Sequence, residues 1–489
     1  MPRHSRRSGA RALGLAAALT LALPLLAGGP AVATTSGSAT APTPGPISLW
    51  APAQVTAYGY DNRVWTDLGL RVIAQGAPFE LWSTRPSYDE QIRTVWRSPA
   101  GDVALPAGSM KDFTGLRDFL SLELTPRTGG APLTVTRSAC LDGWSERVRP
   151  DAPATSPYPR SCWYNPYSLG SVQGVQQGWA TPAIGPGSPL RIPLGTYDAT
   201  ASITPRYAGL LGLSAAEATR AFTLVVKPET DGTGRTVPRA ATTPRPAAHA
   251  PARSAAGTAS GPVPDLRALP AWGIRMAGNG NYLQFSATVW NAGDSPLVVD
   301  GFRRDGKDEM DAYQYFFDGD GNQTGYQQVG QMRWDPRPTH QHWHFEDFAR
   351  YVLLKADRTE AVTSKKEAFC LANTDAVDET VPNAAWNPEN TDLATSCGDH
   401  NALSIREVLA SGWGDTYAQF RAGQSFDLRG LPNGTYYVAV MANPDGRLVE
   451  SSTDNNVSLR EVVIGGTEGH RRVSVPQVGV IEEPARSRK

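Results

Sequence analysis

The chain has 489 residues, of which 40% are hydrophobic and 19% are charged, and its formal net charge is −1. This length is enough for two or three ordinary domains. The nearly balanced charge argues against nucleic acid as a partner, because proteins that bind the phosphate backbone are usually strongly basic.

Residues 1–33 have the features of a secretory signal peptide. Four arginines precede an apolar stretch over residues 13–27, and residues 31–33 (Ala-Val-Ala) form a small-residue cleavage site. Without them, 42 basic and 47 acidic residues remain, a net charge of −5. No other segment approaches the roughly 18 apolar residues of a membrane helix. We therefore expect a secreted, extracellular protein without a membrane span.

The next part of the chain indicates a β-sandwich domain of unknown role. Residues 34–46 are rich in Ser, Thr, Ala, Pro and Gly and are predicted to be disordered. Residues 47–228 combine short strand patterns, such as residues 195–203, with turn-rich stretches, which predicts the sandwich. Residues 214–220 could form one or two helical turns.

Residues 229–261 are rich in Pro, Ala, Thr, Arg and Gly and contain almost no large apolar residue. Such a composition cannot bury a core, so this segment is predicted to be a linker. The strand-rich segment that follows, residues 262–466, predicts a second sandwich, and residues 467–489 are expected to be a mobile tail. The predicted fold class is therefore all-β, with two immunoglobulin-like β-sandwich domains joined by a Pro/Ala-rich linker.

Residues 318–322 (Asp-Gly-Asp-Gly-Asn) are typical of a hairpin turn between two strands. A calcium-binding loop is an alternative interpretation of these acidic residues. The downstream glutamate of an EF-hand is missing, which favours the turn.

The cysteines Cys140, Cys162, Cys370 and Cys397 fall into two pairs, one in each half of the chain. In an exported protein two intradomain disulfides are the simplest interpretation. A thiolate metal site is less favoured, because neither pair has the Cys-x-x-Cys spacing of a zinc knuckle.

Aromatic residues cluster around the first cysteine pair. An aromatic loop of this kind could bind a glycan, although packing around a disulfide is favoured. Its residues are Trp144, Tyr158, Trp163 and Tyr164.

Three of the seven histidines in the chain, His340, His342 and His344, alternate along one short stretch. Alternate residues of a β-strand point to the same face, so three imidazoles would converge on one cation. Imidazole is a common ligand of copper and zinc, and the spacing alone suits both metals. An exposed His-rich strand without metal is the alternative, and Trp343 on the opposite face disfavours it.

Five stretches of the second segment together resemble the catalytic domain of the lysyl oxidase family, and they come in the family's order. They are residues 263–266 (Val-Pro-Asp-Leu), 339–348 (Thr-His-Gln-His-Trp-His-Phe-Glu-Asp-Phe), 366–371 (Lys-Glu-Ala-Phe-Cys-Leu), 412–417 (Gly-Trp-Gly-Asp-Thr-Tyr) and 449–456 (Val-Glu-Ser-Ser-Thr-Asp-Asn-Asn). The resemblance covers about 200 residues of the chain and excludes the N-terminal segment.

The resemblance implies a copper amine oxidase with a cofactor, lysine tyrosylquinone, that forms from its own side chains. It implies that the three histidines bind copper and that Lys366 and Tyr417 are the quinone precursors. Alternatively, Lys366 could be a surface lysine and Tyr417 a structural tyrosine. Asp415 is a candidate catalytic base, and a turn-capping aspartate is an equal alternative.

A second metal site is also implied near the ends of the second segment. Carboxylate and amide oxygens suit calcium, and related domains bind calcium near these motifs. A hydrogen-bonded turn is the alternative. The residues concerned are Asp265, Glu450, Asn455 and Asn456.

The sequence thus predicts an exported copper-dependent oxidoreductase. It would use dioxygen to convert primary amines, including lysine side chains of proteins, to aldehydes with release of ammonia and hydrogen peroxide. The alternative is a non-catalytic, extracellular copper-binding or adhesion-type β-sandwich protein.

Overall fold

The computed structural model describes residues 44–185, 189–229, 259, 261–278, 280–337, 340–364, 366, 368–389, 391–421 and 423–483. The predicted signal peptide, most of the predicted disordered segment and linker, and residues 484–489 lie outside these described residues. The regular secondary structure of the described residues is almost entirely β, with two short helices, which confirms the predicted all-β class.

The N-terminal segment forms three sheets in its described part. Their strand orders are β1-β4-β12-β10, β11-β5-β6-β7 and β13-β3-β2-β15-β14-β8-β9, and β2 and β15 run parallel. The elements are β1 (Ile47–Trp50), β2 (Gln54–Tyr60), β3 (Arg63–Val64), β4 (Arg71–Ala74), β5 (Phe79–Thr84), β6 (Arg93–Ser98), β7 (Gly101–Ala104), β8 (Leu116–Pro126), β9 (Leu133–Ala139), β10 (Glu146–Arg147), β11 (Gly170–Val175), β12 (Trp179–Pro182), β13 (Leu190–Arg191), β14 (Gly195–Ile203), α1 (Pro205–Leu210), α2 (Ala215–Ala218) and β15 (Thr219–Pro228).

Strand alternation explains why these sheets pack. In β5, for example, every second residue is buried, and Phe79 and Leu81 join a core shared with Val72, Leu122 and Leu224 of the other two sheets. The predicted helical turn is confirmed as α2, where Ser214 and Glu217 form a capping box.

The second segment also forms three sheets in its described part. Their strand orders are β16-β18-β28-β26, with β17 and β29 also paired to β18, then β25-β22-β21-β20-β19-β27, and β24-β23-β30-β31-β32. The strands are β16 (Leu266–Ala268), β17 (Trp272–Met276), β18 (Tyr282–Asn291), β19 (Leu297–Arg303), β20 (Glu309–Phe317), β21 (Gln323–Asp335), β22 (His342–Glu346), β23 (Ala349–Lys355), β24 (Glu360–Thr363), β25 (Ala368–Phe369), β26 (Asp375–Ala376), β27 (Ser404–Leu409), β28 (Trp413–Tyr417), β29 (Ser425–Asp427), β30 (Gly434–Ala442), β31 (Val457–Thr467) and β32 (His470–Ser474).

The core of this segment brings the three sheets together. It includes Phe285 of β18, Trp343 of β22, Tyr351 of β23 and Val438 of β30, all of them buried. The hairpin turn predicted at residues 318–322 joins β20 to β21, and Asp318 accepts hydrogen bonds from the backbone of residues 320 and 322. None of the helices in the described part of the chain has the length and hydrophobicity needed to cross a bilayer.

The two segments are joined through backbone hydrogen bonds and a small shared core. The amide of Leu169 donates to the carbonyl of Val377 at 2.7 Å, and Gly170 forms a parallel bridge with Asp378. Tyr167 of the first segment is buried in one cluster with Trp290 and Val377 of the second. The first segment therefore packs directly against the sheet that carries β26 and β28.

The C-terminal stretch that was predicted to be a mobile tail is part of the fold as far as residue 483. Strand β32 pairs with β31, and Ile481 is buried in the cluster shared by the two segments. The sequence did not predict these contacts, because this stretch is largely polar and an edge strand leaves many of its side chains in solvent.

Both predicted disulfides are present. Cys140 bonds to Cys162 and Cys370 bonds to Cys397, with Cα atoms 5.8 and 5.9 Å apart.

The stacked pair Phe285 and Phe426, with ring centroids 4.7 Å apart, gives a test of the second core. We expect Phe285→Ala to lower the free energy of unfolding by about 3–5 kcal/mol, because it removes a fully buried ring and leaves a cavity. Phe420 lies in the same segment but is exposed, so Phe420→Ala should change it by less than about 0.5 kcal/mol. Denaturant unfolding followed by fluorescence measures both, and equal losses would contradict this core.

Candidate active site

The three histidines meet, although not in the way the spacing predicts. Strand β22 begins at His342, so His340 lies outside it. His340 is part of a turn in which its amide donates to the carbonyl of Arg337 at 2.8 Å, and Gln341 has a left-handed φ of 48°. The prediction of one continuous strand is therefore wrong at His340, because the amides of His340 and Gln341 both donate to the carbonyl of Arg337 and β22 begins only at His342.

The turn nevertheless brings the third ring to the other two. The ring centroids of His342 and His344 are 4.6 Å apart, and that of His340 lies 5.8 and 5.5 Å from them. The Nε2 atoms of His342 and His344 approach to 2.9 Å. The three imidazoles thus form a compact cluster of nitrogen donors, while Trp343, on the opposite face of β22, is buried in the core.

Asp335, at the end of β21, is a member of the cluster that the sequence interpretation missed. Its carboxylate lies 3.5 Å from Nδ1 of His344 and 4.0 Å from Nδ1 of His340. Asp335, His340 and His344 offer ligand atoms within 4.8 Å of one another. A carboxylate on the Nδ1 side of a histidine fixes the ring and leaves Nε2 free to bind a metal.

Arg337 holds the Asp335 carboxylate in place through its backbone amide and its guanidinium. These hydrogen bonds lower the pKa of Asp335 below its usual range. The Asp-Pro-Arg sequence five residues before the first histidine was the available signal. It is ambiguous because the same triplet is typical of a plain turn.

The electrostatics of the site favour the neutral form of two imidazoles, those of His340 and His344. Burial, reinforced by the positive charge of Lys366, lowers the pKa of His344 to about 3. Burial also lowers the pKa of His340, and Arg337 adds to the effect. Since only a neutral imidazole has a lone pair for a metal ion, the fold holds these rings in the form that can ligate.

Lys366 and Tyr417 are brought together. Lys366 lies just before β25 and Tyr417 ends β28, and the Nζ atom of Lys366 is 4.3 Å from the centroid of the Tyr417 ring. Lys366 is only 7% exposed, so the interpretation of it as a surface lysine does not fit. Lysine 365 is outside the described residues.

Strand pairing explains how this pair comes near the histidines. Strand β22 pairs with β25, which places Phe345 opposite Phe369. The ring of Phe369 then packs edge-on against Tyr417, with centroids 5.0 Å apart. The positive charge of Lys366 is close enough to lower the pKa of His344, which links the two halves of the site electrostatically.

The hydroxyl of Tyr417 is fixed by the backbone of Cys370. It accepts a hydrogen bond from the Cys370 amide at 3.0 Å and donates to the Cys370 carbonyl at 3.3 Å. Cys370 is bonded to Cys397, whose carbonyl accepts a hydrogen bond from the amide of Trp343 at 2.9 Å. The second disulfide therefore connects the residue that anchors the phenol to the strand that carries the histidines.

Two buried carboxyl groups lie near the Lys366–Tyr417 pair. Asp415 and Glu407 are 3% and 0% exposed, and each has one side-chain oxygen without a hydrogen-bond partner. Burial raises the pKa of both groups well above the usual range, and the charge of Lys366 partly opposes this. Buried carboxyl groups with raised pKa values are suited to accepting and returning protons.

Glu407 was missed by the sequence interpretation. The sequence feature that could have indicated it is an acidic residue within a strand whose neighbours Ile405, Val408 and Leu409 are apolar and buried. Structural ion pairs produce the same pattern, as the neighbouring pair of Arg406 and Asp300 shows.

The same environment affects the two proposed precursors in opposite ways. Burial lowers the pKa of Lys366 to about 8, so its neutral, nucleophilic amine becomes available near physiological pH. Burial, and then the Asp415 carboxylate, raises the pKa of Tyr417 well above its usual range. The ring is therefore held as a neutral phenol beside an amine that loses its proton easily.

The four residues of the predicted calcium site also lie together. Asn455 donates its amide hydrogens to Asp265, at 3.1 and 3.2 Å, and Asn456 donates to Glu450 at 2.8 Å. Arg267 forms an ion pair with Asp265. The carboxylate oxygens are thus used by N–H donors, which supports the alternative of a hydrogen-bonded turn, and calcium binding stays a prediction.

The aromatic residues near the first disulfide are divided by the fold. Tyr158 is buried and stacks on Trp386, and Trp163 packs edge-on against Trp413. Only Trp144 is largely exposed, beneath the guanidinium of Arg160. Packing thus accounts for Tyr158 and Trp163, two of the four residues.

Comparison with known proteins agrees with the geometry. No curated protein sequence matches the chain significantly. Residues 318–470 match the family model described as lysyl oxidase. The match contains the histidine cluster, Lys366 and Tyr417, whereas residues 263–266 and the N-terminal segment lie outside it. The resemblance of the C-terminal region to the lysyl oxidase family is therefore confirmed over residues 318–470.

Proposed function

We propose that the chain is an exported copper-dependent amine oxidase that converts primary amines to aldehydes and releases ammonia and hydrogen peroxide. Its cofactor would be a lysine tyrosylquinone formed from Lys366 and Tyr417. The observation that carries the proposal is the 4.3 Å distance between the Lys366 amine and the Tyr417 ring in a buried site beside three convergent imidazoles.

The donor set suits copper. The Nε2 atoms of His342 and His344 lie 2.9 Å apart, close enough for one ion to bind both. Divalent copper would bind such a set of imidazole nitrogens more tightly than zinc does. Three histidines leave positions open for water or dioxygen.

Bound copper supplies redox chemistry with dioxygen, and the quinone supplies the electrophilic carbonyl that unmodified side chains lack. The residues of the chain provide the rest. Lys366 offers a neutral amine to one face of the Tyr417 ring, and the Cys370 backbone prevents the ring from turning away. Asp415 and Glu407 are positioned to hold or move protons. Asp415 is our candidate for the base that takes a proton from the substrate.

The substrate would be a primary amine, including the side chain of lysine in a protein, and dioxygen would be the electron acceptor. Export would explain the two disulfides, which persist in oxidising compartments. The alternative of a non-catalytic extracellular copper-binding or adhesion-type protein differs in one respect. It requires no reaction between Lys366 and Tyr417.

The assignment of the lysine can be tested with two neighbouring residues. We expect Lys366→Arg to abolish the reaction of the copper-loaded protein with phenylhydrazine, because a guanidinium cannot add to the Tyr417 ring. Lys365→Arg is the matched control and should react as the wild type does. Reaction is measured by visible absorbance. A wild-type protein that holds copper without reacting would support the non-catalytic alternative, and equal reaction of both variants would remove Lys366 from the cofactor.

The role of Asp335 can be tested with a second Asp-x-Arg pair. Asp335→Asn should weaken copper binding by about 10- to 100-fold, since it removes the group that orients His344. Asp427 makes the same contacts to Arg429 at the surface, and Asp427→Asn should leave copper affinity unchanged. Competition with a copper chelator gives both affinities. Equal values for Asp335→Asn and the wild type would exclude the orienting role.

The lowered pKa of Lys366 predicts the pH dependence of cofactor formation. The neutral fraction of an amine with a pKa of about 8 rises about tenfold between pH 7 and pH 9 and then levels off. We therefore expect the rate of quinone formation, followed by visible absorbance at saturating copper, to approach a plateau near pH 9. A rate that continues to rise in proportion to hydroxide beyond pH 9 would mean that Lys366 has an ordinary pKa.

A further inference from the structure

We infer that the N-terminal segment is a lasting part of the catalytic unit and that Asn165, which it contributes, is a positioning residue for Tyr417. The inference rests on the proposed function, since it concerns the placement of the quinone precursor. It assigns a role to a segment that lies outside the residues that match the family.

The side chain of Asn165 packs against the second segment, and both of its polar atoms form hydrogen bonds. It is 1% exposed. Its Nδ2 atom donates to the hydroxyl of Thr288 at 3.0 Å and to the carboxylate of Asp375 at 3.3 Å, and its Oδ1 atom accepts from the amide of Tyr167 at 3.0 Å. One buried amide of the first segment thus bridges strands β18 and β26 of the second.

The two partners of Asn165 in the second segment both contact Thr416, the residue before Tyr417. The hydroxyl of Thr416 donates to the Asp375 carboxylate and lies 2.7 Å from the hydroxyl of Thr288. Thr416 and Tyr417 are adjacent in β28 and therefore point to opposite faces of the sheet. The network led by Asn165 fixes β28 from the face opposite to the Tyr417 ring.

The first segment is built to hold Asn165 in this place. Arg85, just after β5, is buried and donates to the carbonyl of Ser168 at 2.8 Å. Ser168 in turn donates its hydroxyl to the carbonyl of Ala376 at 3.1 Å, next to the backbone hydrogen bonds of Leu169. The loop that carries Asn165 is therefore held by hydrogen bonds to both segments of the chain, so Asn165 lies in a structured contact between them.

Removal of the first segment would leave these polar groups without their partner. The hydroxyl of Thr288 and the carboxylate of Asp375 would lose the Asn165 amide, and the shared cluster around Tyr167 would be exposed to water. Exposure of this apolar cluster is costly, and mobile water in place of the fixed Asn165 amide would leave β28 less constrained on this face. A segment of this kind does not behave as a pro-region that is cut away and lost.

The test is the rate of quinone formation in Asn165→Ala after copper is added to the folded, copper-free protein. We expect about a tenfold slower rate than in the wild type, because small misplacements of reacting groups have effects of this size. The copper content should be unchanged, because Asn165 does not contact the histidine cluster. Asn433→Ala is the control, since Asn433 donates its side-chain amide to the carbonyl of Gly466 at an exposed turn. It should form the quinone at the wild-type rate.

Thermal unfolding and the visible spectrum distinguish a misplaced Tyr417 ring from a general loss of stability. If Asn165→Ala unfolds near the wild-type temperature yet forms the quinone slowly or with a shifted absorption maximum, the positioning role is supported. Wild-type rate and spectrum in that variant would overturn it. If the wild type itself forms no quinone, the proposed function fails before this comparison begins.

Cleavage within residues 230–258 of the full-length protein tests the permanence of the contact. We expect the two fragments to elute together in size-exclusion chromatography and to retain quinone formation. Separation of a C-terminal fragment that still forms the quinone at the full rate would overturn the inference.

Discussion

The proposed site depends on the confinement of the buried Lys366 amine over the ring of Tyr417. In water a lysine side chain stays protonated at neutral pH and samples many rotamers, and a phenol ring rotates freely. Here burial favours the neutral amine of Lys366, and the backbone of Cys370 forms hydrogen bonds with the hydroxyl of Tyr417. Under the proposed function, these two effects would prepare Lys366 and Tyr417 to react with each other in the presence of copper and dioxygen.

The surrounding fold serves that confinement from three directions. The second disulfide joins the Tyr417 anchor to the chain beside the histidine strand, so the three histidines and the phenol are held by one cross-linked part of the fold. Asp335, at the end of the neighbouring strand β21, lies beside the rings of His340 and His344 and is held there by Arg337. Asn165 supports β28 from behind. The chemistry would thus be local, whereas its placement is distributed over both segments of the chain.

The features of the fold that depend on short-range sequence patterns could be predicted from the sequence. Alternation predicted the strands, paired cysteines predicted the disulfides, and His342 and His344 share a strand face as expected. The sequence could not reveal Asp335, Glu407 or Asn165, because each acts through partners that are distant along the chain or look like ordinary turn residues. His340 shows the same limit, since the turn after Arg337 takes it out of the strand while tertiary packing returns its ring to the cluster.

The proposed cofactor requires that Lys366 and Tyr417 become one covalent unit. Peptide mapping by mass spectrometry of the purified, copper-saturated protein, exposed to air, tests it directly. We expect a single species in which the peptides that contain Lys366 and Tyr417 are joined side chain to side chain. Recovery of the two peptides separate and unmodified, at full copper occupancy, would contradict it.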